Sequence, residues 1–127
     1  MNLLDTDILV DFLHRITLAE EFLESLRIKG EILTISAITR MELIQGCRNK
    51  REMSVILEVL KEFRLIHVTE HISQKAIELM ENYNLSHGLL IPDAIIAATA
   101  INMELELYSR NVRHFSIIER LKVTKPY

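Results

Sequence analysis

The 127-residue sequence has no tryptophan, one cysteine, two prolines and three glycines, and its aromatic content is only 6%. The lone cysteine, Cys47, rules out a disulfide framework within one chain, which fits a reducing cytoplasm as the working compartment. Few prolines and glycines allow few tight turns, which disfavours a sandwich of many short strands and favours helices. Sparse aromatics offer no obvious platform for stacking bases. Positive charge is in short supply as well. Fifteen Lys and Arg against 18 Asp and Glu leave a formal net charge of −3, the opposite of a generic nucleic-acid binder. Any role on nucleic acid must then rest on a local site where metal ions offset phosphate charge. The start, Met1-Asn2-Leu3-Leu4-Asp5, lacks a basic segment and meets an acid at once, unlike a signal peptide. No apolar run approaches the roughly 20 residues of a membrane span. The longest, Leu89 to Met103, is interrupted by Pro92, Asp93 and Asn102. A Gly-rich phosphate loop and a dinucleotide-binding fingerprint are both missing.

What is present is a well-stocked core. Hydrophobic residues make up 49% of the chain and charged residues 26%, the balance of a folded domain rather than a disordered one. No repeat, linker or low-complexity stretch divides the sequence, so residues 1–127 are expected to form one domain. Leu3-Leu4 reads as a short buried strand ending at Asp5, with Thr6 or Asp7 capping a helix that runs to about His14. Leu18 to Lys29 places Leu18, Phe22, Leu23 and Leu26 at helical spacing, and Gly30 supplies the stop. Ile32 to Ile35 predicts a second strand, after which Ser36 caps a helix to about Cys47. Arg51 to Phe63 is an amphipathic helix with Ile56, Leu57, Leu60 and Phe63 on one stripe. Leu65 to Val68 predicts a third strand, and Ile72 to about Tyr83 a helix followed by a loop through Gly88. Pro92 suits a first helical turn, Asp93 to Met103 continues that helix, Leu105 to Tyr108 is a fourth strand, and Val123 belongs to a fifth. Strands that alternate with helices predict an α/β layer fold with a short, mainly parallel sheet.

In such a sheet, sites form beyond the carboxyl ends of the strands. Asp5 follows the first strand, Glu42 lies on the helix after the second, Asp93 opens the helix that leads to the fourth, and Asn111 follows the fourth. Carboxylates drawn together resist ionising together, and a hard cation removes the conflict. Mg²⁺ favours a few oxygen ligands plus waters and substrate phosphate, with Mn²⁺ as a substitute. Simpler roles exist for each residue. Asp5 and Asp7 could cap a helix, Asp93 could be a first-turn acid favoured by the helix dipole, and Glu42 could be a solvated charge. The run Ala94-Ile95-Ile96-Ala97-Ala98-Thr99-Ala100-Ile101 is apolar nearly all round, which buries the helix carrying Asp93. Arg110 and Arg113 stand near the expected site and suit phosphate contacts, whereas the cluster Arg48-Asn49-Lys50-Arg51 reads equally well as charge at a helix junction. His67 and His71 flank a strand-to-helix turn and do not have helical ligand spacing for zinc. Cys47 lacks a paired histidine motif and is expected to be a buried thiol.

Four segments carry a family resemblance. Leu3-Leu4-Asp5-Thr6-Asp7 resembles the opening motif of PIN-domain nucleases, in particular the VapC-type toxins of toxin–antitoxin pairs. Arg40-Met41-Glu42-Leu43-Ile44-Gln45-Gly46 is similar to their second motif. Ile91-Pro92-Asp93-Ala94-Ile95-Ile96-Ala97-Ala98-Thr99-Ala100 is the most specific match, and Leu107-Tyr108-Ser109-Arg110-Asn111-Val112-Arg113-His114-Phe115 resembles the last. The resemblance implies a three-layer α/β/α fold and a Mg²⁺- or Mn²⁺-dependent endoribonuclease. Its implied partners are an RNA substrate, a cognate antitoxin and a second copy of the chain. Asp5, Glu42 and Asp93 match the family's acidic metal-site positions, with Asn111 as a further oxygen ligand and Thr6, Arg110 and Arg113 as candidates for substrate contact. The family often adds a fourth acid in the last motif; Asn111 and His114 stand there instead, which leaves a second metal ion open. Two other functions are kept in view. One is a PIN-like module that binds RNA or a partner without cutting. The other is a phosphatase using Asp5 as nucleophile, suggested by Asp5-Thr6-Asp7 but unsupported by any downstream acidic pair.

Overall fold

Leu3 and Leu4 are neighbours in sequence, both fully buried, and belong to two different hydrophobic cores. Successive side chains on a strand point to opposite faces, so this one pair requires a sheet covered on both sides. The computed structural model describes residues 1–127. In chain order it contains β1 (Asn2–Leu4), α1 (Thr6–Leu13), α2 (Thr17–Ile28), β2 (Thr34–Ser36), α3 (Ala37–Gln45), α4 (Lys50–Leu60), β3 (Arg64–Ile66), α5 (Glu70–His87), α6 (Ile91–Asn102), β4 (Glu106–Tyr108), α7 (Val112–Phe115) and β5 (Val123–Thr124). Leu3, Ile66 and Leu107 pack with α5, α6 and α7 on one face, while Leu4, Ile35 and Leu33 pack with α1, α2 and α4 on the other. The expected α/β/α layering is therefore observed. No helix is long and apolar enough to cross a membrane.

All strand pairs are parallel, as β-α-β crossovers require. They form two hydrogen-bonded sheets, β1-β4-β5 and β2-β3. The seam between β1 and β2 is closed by a side chain. The Asn2 carboxamide, 1% exposed, donates to the Ile32 carbonyl at 2.9 Å and to Glu31 Oε1 at 3.0 Å, and accepts from the Thr34 N–H at 3.1 Å. It satisfies two backbone groups that a continuous ladder would otherwise have paired.

Several boundaries depart from the sequence expectation for local reasons. Asp5 itself caps α1, its Oδ1 accepting from the Thr6 N–H at 2.8 Å, in place of Thr6 or Asp7. Ser36 does cap α3 as expected, accepting from Ile38 N. The expected loop before Gly88 is helix. α5 runs on to His87 because Gly88, at φ 70°, adopts the left-handed turn that lets its N–H reach the Asn84 carbonyl and the Leu89 N–H reach the Tyr83 carbonyl. Leu18 is 54% exposed, so Ala19, Leu23 and Leu26 make the buried stripe of α2. Cys47 is only half-buried, its thiol turned to the Leu43 carbonyl.

Candidate functional site

Asp5 stands between β1 and α1 as the cap of the helix, which holds it at the carboxyl edge of the sheet. Its two oxygens have separate partners. Oδ1 caps α1, while Oδ2 accepts from the Ser109 hydroxyl at 2.7 Å. Capping and a role in a site are thus not alternatives here. Ser109 is fully buried just past β4, and its Oγ also accepts from the Asn111 N–H at 2.9 Å, so one hydroxyl locks the β4–α7 loop onto Asp5. Glu42 is reached from the other side. Thr6 Oγ1 lies 2.7 Å from Glu42 Oε1 and 2.9 Å from Thr39 Oγ1. The carboxylate takes the single Thr6 proton, and Thr39 then donates to Thr6. Asp93, in the first turn of α6, is held by a helix buried at Ala94 and from Ile96 through Ala100. His114 faces Asp93, with Nδ1 4.0 Å from Oδ2.

The electrostatics tie these residues together. Burial is the main force raising the Asp5 carboxyl, which reaches about 7; the nearby Asp7 and Asp93 charges push the same way against the lowering effect of the Ser109 and Thr6 hydrogen bonds. Asp93 is raised by burial and by Glu42, with His114 opposing. Asp7 is raised by burial. The Asp93 charge therefore reaches Asp5, just past β1, and the Glu42 charge on α3 reaches Asp93 on α6. The opposing positive influences are His114 on Asp93 and Arg110 on Asp7.

The donor set suits a hard cation, since it consists of carboxylate oxygens; beside it, Asp7 Oδ1 is buried with no hydrogen-bond partner. It is not a closed cage. No three His, Cys, Asp or Glu side chains stand close enough to enclose a metal by themselves, and Glu42 is turned toward Thr6. An open set of carboxylates leaves coordination positions for water, the habit of Mg²⁺ rather than of Zn²⁺ or Ca²⁺. Beside Glu42 and Thr6 a cavity of about 670 Å³ opens between α1, α3 and α4, floored by Val10, Leu13, Val55 and Ile56.

Comparison with known proteins decides the family. The PIN domain model matches residues 3–121. The chain belongs to the PIN domain family. Among curated relatives, ribonuclease VapC10 of Mycobacterium tuberculosis is 37% identical over 123 residues, covering 96% of this chain and 91% of the relative. Ribonuclease VapC19 of the same organism is 35% identical, covering 96% and 98%. Among solved structures, a chain from a toxin–antitoxin complex of Klebsiella pneumoniae superposes with a TM-score of 0.83 at 32% identity, covering 100% of this chain and 98% of the other.

This PIN domain brings Asp5, Glu42 and Asp93 to one rim and treats the remaining candidates differently. Thr6 is at the site, with its hydroxyl engaged by Glu42. Asn111 is exposed, and its side chain makes no hydrogen bond; its backbone N–H is the group that anchors the loop. Arg113 is exposed and unpaired. Arg110 is paired, its Nη1 lying 3.1 and 3.0 Å from the two oxygens of Asp11. Sequence reasoning missed Ser109 and undervalued Asp7. The hydroxyl residue between Tyr108 and Arg110, at the end of a strand facing the first acid, was the available signal for Ser109. Asp7 had only the Asp-x-Asp spacing to mark it.

Proposed function

We propose that this PIN domain, a single unit over residues 1–127, is a metal-dependent endoribonuclease acting as the toxin of a toxin–antitoxin pair in the cytoplasm. The observation that carries the proposal is the crowding of Asp5, Asp93 and Glu42 from three elements at the carboxyl edge of the sheet, with burial holding Asp5 near neutrality. The curated relatives' naming as ribonucleases supports RNA as substrate, and the toxin–antitoxin complex supports an antitoxin partner.

Asp5, Asp93 and Glu42 would hold Mg²⁺ or Mn²⁺, with Asn111 available as a neutral oxygen donor. When bound, such an ion supplies charge neutralisation at phosphate and a lowered pKa for a coordinated water. The chain's own residues do the rest. Ser109 and the Thr6 N–H keep both Asp5 oxygens oriented. The Thr6 hydroxyl keeps Glu42 from swinging into solvent. The buried α6 fixes the Asp93 backbone, and arginines beside the site bind phosphate. Purified protein should cleave RNA with Mg²⁺ or Mn²⁺ and stop with EDTA. Asp93→Asn should abolish cleavage with unchanged circular dichroism; full activity in that variant would remove Asp93 from the site.

A catalytically silent RNA- or partner-binding module is the second reading. The open acid arrangement and the lack of a fourth acid favour it. Calorimetric titration with Mn²⁺ separates the two, since heat of binding that disappears in Asp93→Asn supports the nuclease and no heat supports the silent module. Family membership sets aside the aspartyl-phosphatase alternative. Self-association is supported by an apolar patch where α5 meets α6: Leu85 is 99% exposed, Leu90 63% and Ile91 62%. Leu85→Glu should yield a monomer in sedimentation if that patch joins two copies.

A further inference from the structure

Arg110 sits in a chain of contacts that the acidic site does not itself use. Its backbone N–H donates to Asp7 Oδ2 at 3.0 Å, and its Nη1 bridges both oxygens of Asp11. Asp11 Oδ2 in turn accepts from the Tyr127 hydroxyl at 2.7 Å, a contact between residues 116 positions apart. The Tyr127 ring lies 6.3 Å from Phe22, whose own ring packs edge-on against Tyr108 at 4.8 Å. Tyr108 is the last residue of β4, two before Arg110. The segment Tyr108-Ser109-Arg110 is thus held three times: by stacking, by the Ser109 bond to Asp5, and by the Asp11 and Tyr127 pair.

This anchorage leaves part of the guanidinium unused. Only Nη1 is engaged, so the Nε and Nη2 N–H groups have no partner, and the side chain is 50% exposed against 14% for Asp11. A free arginine loses rotamer freedom when it takes a phosphate, whereas one already fixed along one edge loses less. Asp11 Oδ2 accepts from both the phenol and the guanidinium, so Tyr127 fixes the carboxylate that holds Arg110. Burial and the Asp11 hydrogen bond keep the Tyr127 phenol protonated as the donor.

We propose, on the reading that this site acts on RNA, that Tyr127 and Asp11 are positioning residues for Arg110. They hold its guanidinium with the Nε and Nη2 edge free for a phosphate of an RNA strand entering the acidic site. The opposite arrangement, in which Asp11 sequesters Arg110 from substrate, makes predictions of opposite sign.

The test uses the full chain, Mg²⁺ and a labelled 2′-O-methyl RNA oligonucleotide of mixed sequence, with binding read by fluorescence anisotropy. Tyr127→Phe keeps the ring on Phe22 and removes only the hydroxyl. It should weaken binding about threefold, and Asp11→Asn about tenfold, because the first removes one hydrogen bond that steadies Asp11 and the second removes the charge that holds Arg110. On cleavable RNA the same variants should raise KM by those factors with kcat unchanged. Arg110→Ala should reduce the slope of log affinity against log salt by about one. In the Arg110→Ala background, Tyr127→Phe should have no further effect, because a positioning residue has nothing left to position; a purely structural role would persist there. Unchanged or tightened binding in Tyr127→Phe and Asp11→Asn, or an effect that survives in Arg110→Ala, overturns the proposal. Unaltered protein that binds RNA but never cleaves it defeats the nuclease reading alone. Unaltered protein that does not bind RNA defeats this one.

Discussion

Asp5 is expected to destabilise the metal-free protein at neutral pH, and Asp5→Asn should reveal it. In the unfolded chain the carboxyl titrates at its ordinary value of 3.8; in the fold, burial first and the Asp7 and Asp93 charges after it raise that to about 7. Below 3.8 both states are protonated and the residue contributes nothing. Between 3.8 and about 7 the unfolded chain releases a proton that the native state still holds, so stability falls as pH rises through this window. Above 7 the full penalty is in place. A displacement of that size corresponds to about 4 kcal/mol, and solvent relaxation at a site open on one side reduces it to about 2 kcal/mol. Asparagine is nearly isosteric: its Oδ1 still accepts from the Thr6 N–H, and its amide can donate to Ser109 Oγ. In EDTA, urea unfolding at pH 8 should therefore show Asp5→Asn more stable than the unaltered protein by about 2 kcal/mol, with the difference vanishing near pH 4. Added Mg²⁺ should stabilise the unaltered protein and leave the variant unmoved. A variant that is no more stable at pH 8, or a difference that ignores pH, would refute the claim that burial and carboxylate crowding raise Asp5.

Other outcomes follow from neighbouring features. Because the Asp5 proton must leave before a cation can be held there, Mn²⁺ affinity should climb with pH and level off above about 7; calorimetry in two buffers of different ionisation enthalpy will read the released proton. Ser109→Ala removes the hydroxyl bonded to Asp5 Oδ2 and to Asn111 N, and should weaken Mn²⁺ binding about tenfold while leaving the fold intact by circular dichroism. Asn2→Leu strands the Thr34 N–H and Ile32 carbonyl at the β1–β2 seam, and should lower the unfolding free energy by about 3 kcal/mol. Gly88→Ala places a side chain at φ 70° and should lower it by about 1 kcal/mol, an effect measurable by urea titration.

Much of the fold could be read locally. The Leu3-Leu4 pair, the alternation of apolar runs with amphipathic segments, and the unbroken apolar surface of Ala94 to Ile101 all encode burial in their own periodicity. The caps were partly legible for the same reason: Ser36 was identified, but Asp5 outcompeted Thr6 and Asp7 because its side chain lay nearer the first free N–H groups of α1. The extension of α5 past Tyr83 was hidden, since Asn82, Asn84 and Ser86 are polar turn formers whose helical state depends on the Gly88 termination.

The sequence by itself determined the types of chemistry available: acids at the ends of elements, one sheet edge on which to gather them, and too little positive charge for non-specific nucleic-acid binding. Tertiary structure decided which of these groups meet. Ser109 reaches Asp5 across 104 residues, and Tyr127 reaches Asp11 across 116. Asn2 replaces a missing ladder, and Arg110 is drawn to Asp11 rather than left free. Helix and strand patterns reflect interactions within a few residues, which local spacing records. A hydrogen bond between distant segments depends on how layers stack, and no periodicity in the chain marks it.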